Sequence, residues 1–211
     1  MAGRARESFA ERRERRAAVD DPEVVFAAAA RFLEARARSV GEVRRRLTQA
    51  GYRPELIEGA IVRLTELGIL DDEAFSRAWV ESRDRARPRG ESALRQELAL
   101  RGVSREVIDG ALDARRSGER ATRLGEALPH TGDPDGGSPD EAAALRLLER
   151  RAATLRRAAD PRVRREKAYA LLARNGFDPG TCASVAAAWV ARLDDAYDSG
   201  DRGDLTESVD G

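Results

Sequence analysis

The residue of this chain best placed to do chemistry is arginine, and it comes in groups. Arg44, Arg45 and Arg46 stand together. Arg83, Arg85, Arg87 and Arg89 follow at every second position, then Arg95 and Arg101, and a last group is Arg162, Arg164 and Arg165. A guanidinium is planar, permanently charged and carries five donors in a fixed fork. It therefore meets carboxylate and phosphate oxygens two at a time. Clusters of this kind suit contact with an extended anionic partner rather than a bond-making reaction. Each group lies on or next to the middle helix of a repeated unit, so stacked units would merge the groups into one basic face. Base-specific readout is not indicated, because no small set of side chains aimed at base edges can be picked out.

Other chemistry is thin. The one lysine, Lys167, is preceded by Arg164–Arg165–Glu166, so it ends no glycine-rich phosphate loop. The one histidine, His130, lies among Pro and Gly, which argues against a catalytic triad or a zinc helix. Asp71, Asp72 and Glu73 could be imagined as paired carboxylates for a metal or for acid–base work. They immediately precede an apolar-periodic run and read better as a helix start. Cys182 is alone, which excludes a disulfide framework, and it falls on the inner stripe of its helix as a small hydrophobe. Trp79 and Trp189 also sit at core spacing and read as packing residues. No catalytic residue, cofactor or metal is expected.

The formal charge is zero, yet it is uneven. Residues 194–211 hold seven acids and one arginine, which leaves the rest of the chain basic. Aromatics make up only 5% of the chain, so the core is expected to be aliphatic and thin. The basic N-terminus has no apolar segment after it, and no stretch is long enough to span a bilayer. A soluble, cytoplasmic, monomeric protein is expected.

The elements that must position the arginines are announced by a repeat. Leu47 precedes Gly51 by four residues, Leu98 precedes Gly102 and Leu172 precedes Gly176. Apolar residues follow each glycine directly and again six and ten residues on: Tyr52, Ile57 and Ile61; Val103, Ile108 and Leu112; Phe177, Cys182 and Ala186. Such self-similarity marks a repeat architecture. Asp21–Pro22, Asp160–Pro161 and Asp178–Pro179 read as helix starts, and Ser39–Glu42 and Ser138–Glu141 as capping boxes. Phe75, Ala74, Ala78 and Trp79 are expected as an inner stripe. No segment alternates with period two. The fold is expected to be all-α: about nine helices in three stacked triplets, forming an elongated, curved array. The expected divisions are a charged arm at 1–20, triplets at 21–69, 70–116 and 139–193, a linker at 117–138 and an acidic, disordered tail at 194–211.

Several segments resemble one family. They are Ser39–Val–Gly–Glu42–Val–Arg–Arg–Arg–Leu47, Gly51–Tyr52, Leu67–Gly–Ile–Leu70–Asp–Asp–Glu–Ala–Phe75–Ser–Arg–Ala–Trp79–Val, and Arg87–Pro88–Arg–Gly–Glu–Ser–Ala–Leu94–Arg–Gln–Glu–Leu98 with Gly102–Val103. The family is RecX, bacterial regulators of the RecA recombinase. The likeness is close over 22–113 and weaker over 140–193, and the arm, connector and tail depart from it. It implies a non-enzymatic array of three-helix repeats that lies in the groove of the RecA filament. Such a protein suppresses ATP hydrolysis, co-protease activity and strand exchange. The family carries no strict contact motif, so the twelve arginines remain a reading of this sequence. A competing reading is a helix-turn-helix DNA-binding protein acting without RecA, with the helices around Gly51, Gly102 and Gly176 as the motif. Direct contact of the basic face with DNA fits either.

Overall fold

The structure is a computed structural model that describes residues 8–118 and 138–201. Every element among them is a helix. In order these are α1 (Phe9–Ala17), α2 (Pro22–Leu33), α3 (Val40–Ala50), α4 (Pro54–Glu66), α5 (Asp72–Ala86), α6 (Glu91–Leu100), α7 (Arg105–Ser117), α8 (Pro139–Leu155), α9 (Pro161–Arg174) and α10 (Pro179–Asp201). There are ten helices rather than about nine because the N-terminal arm supplies one of its own. The chain divides into two compact units. One holds the chain up to Ala78 together with Glu97–Ala111; the other holds Trp79–Gln96 and the chain from Leu112 onward.

In the first unit, α2, α3 and α4 close around Val25, Ala29, Val43, Leu47, Ile57, Ala60, Ile61, Leu64 and Leu70. Each fully buried Val, Leu or Ile side chain among them contributes about 1.5–3 kcal/mol. The starts are fixed locally. Asp21 accepts a hydrogen bond from the Glu23 N–H, and Pro22 opens α2. Ser39 and Glu42 form the reciprocal box that opens α3. The side chain of Asp71 caps α5 through the Ala74 N–H at 2.9 Å. Asp72 instead accepts the Val40 N–H at 2.8 Å, so one of these acids serves the helix of another element.

The start of α3 meets a turn that follows α6. A Cβ on Gly41 would stand 2.6 Å from the Arg101 carbonyl oxygen and 2.8 Å from Gly102 Cα, so only glycine allows this approach. Ser39, the residue before α3, donates its hydroxyl to the Arg101 carbonyl at 2.7 Å. At the other end of α3 stands α1. The Arg13 backbone and side-chain stem cover Gly51, whose φ is 101°. Arg16 donates to the Ala50 carbonyl at 3.4 Å and lies over the Tyr52 ring. No residue of α1 is buried, so its footing is polar and small.

In the second unit, α8, α9 and α10 bury Ala144, Leu147, Leu148, Ala168, Leu172, Phe177, Cys182, Ala186, Trp189 and Leu193, among others. Ser138 and Glu141 form the box that opens α8, and Asp160 with Pro161 opens α9. Here the start of α6 meets the turn after α9. Gly90, the residue before α6, donates its N–H to the Asn175 carbonyl at 3.0 Å. A Cβ on Gly90 would stand 2.2 Å from the Gly176 carbonyl oxygen. The joint thus repeats the one in the first unit: the residue before a middle helix bonds the carbonyl that precedes a left-handed glycine. Arg115, only 7% exposed, grips Asp84 with two bonds of 2.9 Å and also pairs with Asp140. Arg150 reaches the Arg85 and Ala86 carbonyls at the end of α5.

Two expectations change. The inner stripe of α5 uses Phe75, Ser76 and Val80. Ala74 and Ala78 are exposed and Trp79 is only half-buried, because the stripe is turned by about one residue from the expected phase. The helix α10 runs on to Asp201 instead of ending where the acidic segment begins. Most of the expected linker, with His130, and residues 202–211 of the tail lie outside the described residues.

Candidate functional site

Helical geometry separates residues that adjoin in sequence. Successive side chains on a helix turn by about 100°, and Arg44, Arg45 and Arg46 leave α3 in three directions. Arg44 makes two bonds to Glu58 on α4, at 2.7 and 2.8 Å. That pairing raises the Arg44 pKa and holds the Glu58 carboxyl below its ordinary range. Both groups are about half exposed, so solvent screens the pair and its worth to stability is small. Arg45 donates to the Leu100 carbonyl at 2.8 Å. Arg46 lies over the Phe32 ring, 5.7 Å from its centre. Arg101 pairs with Glu42 at 3.0 Å in the same unit.

The second unit holds the remaining eight. Arg83 lies over the Trp79 ring, its Cζ 4.2 Å from the centre, which explains why that ring is not a bare stacking platform. Arg85 is 78% exposed and touches Glu81 only loosely, at 3.9 Å. Arg87 is exposed. Arg89 bonds the Asn175 side chain and Arg95 pairs with Glu91 at 3.3 Å. Arg162 and Arg165 are exposed on α9. Arg164 departs from the expectation that it joins a surface. It is 6% exposed and bonds the Ala158 and Ala159 carbonyls and Asp194. The buried guanidinium satisfies the chain end before α9, which is structural work. Of the expected set, Arg44, Arg45, Arg46, Arg85, Arg87, Arg162 and Arg165 are exposed, Arg44 being held by its two bonds to Glu58.

The sequence reading passed over a second group at the α2–α3 corner. Arg36 pairs with Glu42 at 3.2 Å. Arg38 lies on the Phe32 ring at 4.3 Å. Their alternation just before the Ser39 box was the available signal. It was missed because the segment carries no run of adjacent arginines.

Among the described residues nothing else competes as a reactive centre. Cys182 is fully buried and donates weakly to the Phe177 carbonyl, and burial raises its pKa, so it is an unreactive thiol. Among the described residues no cluster of His, Cys, Asp or Glu is arranged to hold a metal ion. Among them, too, no helix is long and apolar enough to cross a membrane. A shallow groove of about 450 Å³ on the second unit is lined by Glu149, Ala152, Arg156, Trp189, Arg192 and Leu193.

The fold and these surfaces define a helical-repeat protein rich in surface arginine. Comparison with known proteins gives the family. Residues 26–64 match the family model for RecX, first three-helix domain, and residues 71–112 the one for RecX, second three-helix domain. A regulatory protein RecX of Mycolicibacterium vanbaalenii is 37% identical over 56% of this chain and 67% of its own length. One of Deinococcus radiodurans is 34% identical over 82% of this chain and 72% of its own. The match to the relative from Mycobacterium sp. (strain JLS) spans about half of that protein, 53%, at 42% identity. Among solved structures, RecX from Lactobacillus salivarius superposes with a TM-score of 0.62 at 17% identity, covering 79% of this chain and 94% of that one. The chain belongs to the RecX family.

Proposed function

We propose that this protein binds the RecA nucleoprotein filament and inhibits RecA as recombinase, ATPase and co-protease, acting in recombination and DNA repair in the cytoplasm. The carrying observation is membership of a family of regulatory proteins through two adjacent three-helix domains. The exposed arginines support it, because a filament of protein and nucleic acid offers acidic groups along its length. The protein acts by binding and not by catalysis. Arg45, Arg46, Arg85, Arg87, Arg162 and Arg165 are the proposed contacts. Arg44, Arg83, Arg89, Arg95 and Arg101 are secondary: Arg44 is held by two bonds to Glu58, and the other four are only partly exposed.

The test is the DNA-dependent ATPase of the cognate RecA. Substoichiometric protein should lower it. The charge reversals R45E/R46E and R85E/R87E should each weaken inhibition about tenfold or more, as expected where paired charges are lost at an interface. An unaffected ATPase sinks the reading. Tight, sequence-selective duplex binding without RecA would favour the helix-turn-helix alternative.

A further inference from the structure

The last turns of α8 and the middle of α10 enclose the shallow groove of about 450 Å³. Its floor is apolar: Trp189 and Leu193 are buried, and Ala152 is half-buried. Its rim is charged. Arg156 and Arg192 are exposed there, and so is Glu149. Among the described residues neither guanidinium is paired with a carboxylate. Asp194, close to Arg192 in sequence, is taken by Arg164 at 2.9 Å. A tryptophan floor between two unpaired guanidiniums suits a ligand that is apolar at its centre and anionic at its edges.

The chain itself carries such a segment. The helix α10 supplies Trp189 and Leu193 and ends at Asp201, and residues 202–211 follow it. They hold Asp204, Glu207 and Asp210 against Arg202 alone, with Leu205 and Val209 between the carboxylates. Reach is sufficient. At about 1.5 Å per residue, Asp201 lies about 12 Å along α10 from Leu193 and about 18 Å from Trp189. An extended chain covers about 3.3–3.6 Å per residue, so Arg202 to Val209 spans up to about 26–29 Å. That leaves slack for a reversal at Gly203, glycine being the permissive residue at such a point.

We propose that residues 202–211 turn back along α10 and dock in this groove of their own chain, Leu205 and Val209 on Trp189 and Leu193, and the carboxylates against Arg156 and Arg192. Glu149 opposes the docking, one like charge against two opposite ones. Weak contacts suffice, because a segment tethered a few residues from its seat is present there at an effective concentration of about a millimolar. The docked segment withdraws Arg156 and Arg192 from any other anion, so it is an internal competitor at this end of α8. The inference goes beyond the proposed function, since neither arginine is among the contacts named there.

The experiment is proton–nitrogen NMR of the whole 211-residue chain, read at its two tryptophan indole N–H signals. The Trp189 signal should shift when L205S/V209S strips the apolar side chains from the segment. It should shift the same way in D204N/E207Q/D210N. The Trp79 signal should stay in place, as an internal reference. In an R156E/R192E background, adding L205S/V209S should move the Trp189 signal no further, because both sets of substitutions break the same contact. The wild-type position should hold on dilution. A Trp189 signal that ignores the segment's substitutions overturns the proposal. So does an equal shift in the R156E/R192E background, which would place the effect of the segment elsewhere. Movement of both tryptophan signals together would report a general change of fold and overturn it too. Dilution that carries the wild-type signal toward its L205S/V209S position would put a second copy's segment in the groove and overturn docking within one chain. The substitutions in the segment leave every described residue intact, so their result does not hang on the folding of R156E/R192E. No RecA is present, so a failure of RecA inhibition and a failure of this docking are read separately.

Discussion

Asp72 shows how one side chain can be legible in sequence for the wrong reason. Its place beside Asp71 announces a helix start, yet its carboxylate accepts the Val40 N–H of α3. No local pattern encodes a partner 32 residues away. Burial raises the Asp72 pKa, against the lowering effect of that bond. A carboxyl whose folded pKa is raised contributes stability that is present below its unfolded pKa and is lost as pH rises through the folded value. D72N keeps the acceptor and removes the buried charge. It should be at least as stable as the wild type at pH 7, and its advantage should vanish as the pH falls through the Asp72 titration. D72A leaves the Val40 N–H unpaired and should be about 1 kcal/mol less stable than D72N at any pH. Chemical denaturation across pH 3 to 8 checks both. The arginines teach the same lesson. Their residue type was readable, but whether each meets solvent, a carboxylate or a buried carbonyl depends on helix phase and on neighbours distant in sequence. Arg164 and Arg38 make the two opposite errors, one a surface residue in expectation that is buried, the other a plain loop residue that is crowded with charge.

The helices themselves were largely written in local chemistry. The Asp–Pro starts, the Ser–Glu boxes and the left-handed glycines act within a few residues, so their positions survive into the structure. The phase of α5 did not, because its face is chosen by what packs on it. Nor did the joints between helix ends. Gly41 and Gly90 look like ordinary glycines near a helix start, and only the close backbone opposite them makes any side chain intolerable. G41A and G90A should each lower stability by several kcal/mol or force the joint apart, since the new methyl would meet backbone. Gly59 and Gly110 face open space in helix interiors. G59A and G110A should each stabilise by about 0.5–1 kcal/mol through helix propensity alone. Thermal melting of the four variants separates the two kinds of glycine.

At the scale of the whole chain, the segment 119–137 separates α7 from α8 in sequence, while Arg115 pairs directly with Asp140 across it. The covalent path is therefore not what holds α8 in place. A protease cut at a site engineered into 119–137 should leave α8–α10 bound to the rest of their unit on gel filtration. R115A strands two half-buried carboxylates and should cost roughly 3 kcal/mol, releasing the fragment after the cut. Family and fold class were readable at this scale because the repeat period and the Leu67–Phe75 motif are statements about sequence alone. The partner-facing surface was not, because charge on a helical array is distributed by packing.

The placement of α1 bears on how such a chain could grow. The turns at Gly102 and Gly176 each receive the front of a middle helix, but the turn at Gly51 receives Arg13 and Arg16 of α1. That turn has no vacancy for a newcomer. A gene duplication that added a triplet to be seated on that turn would have to insert it between α1 and α2, or evict α1 altogether.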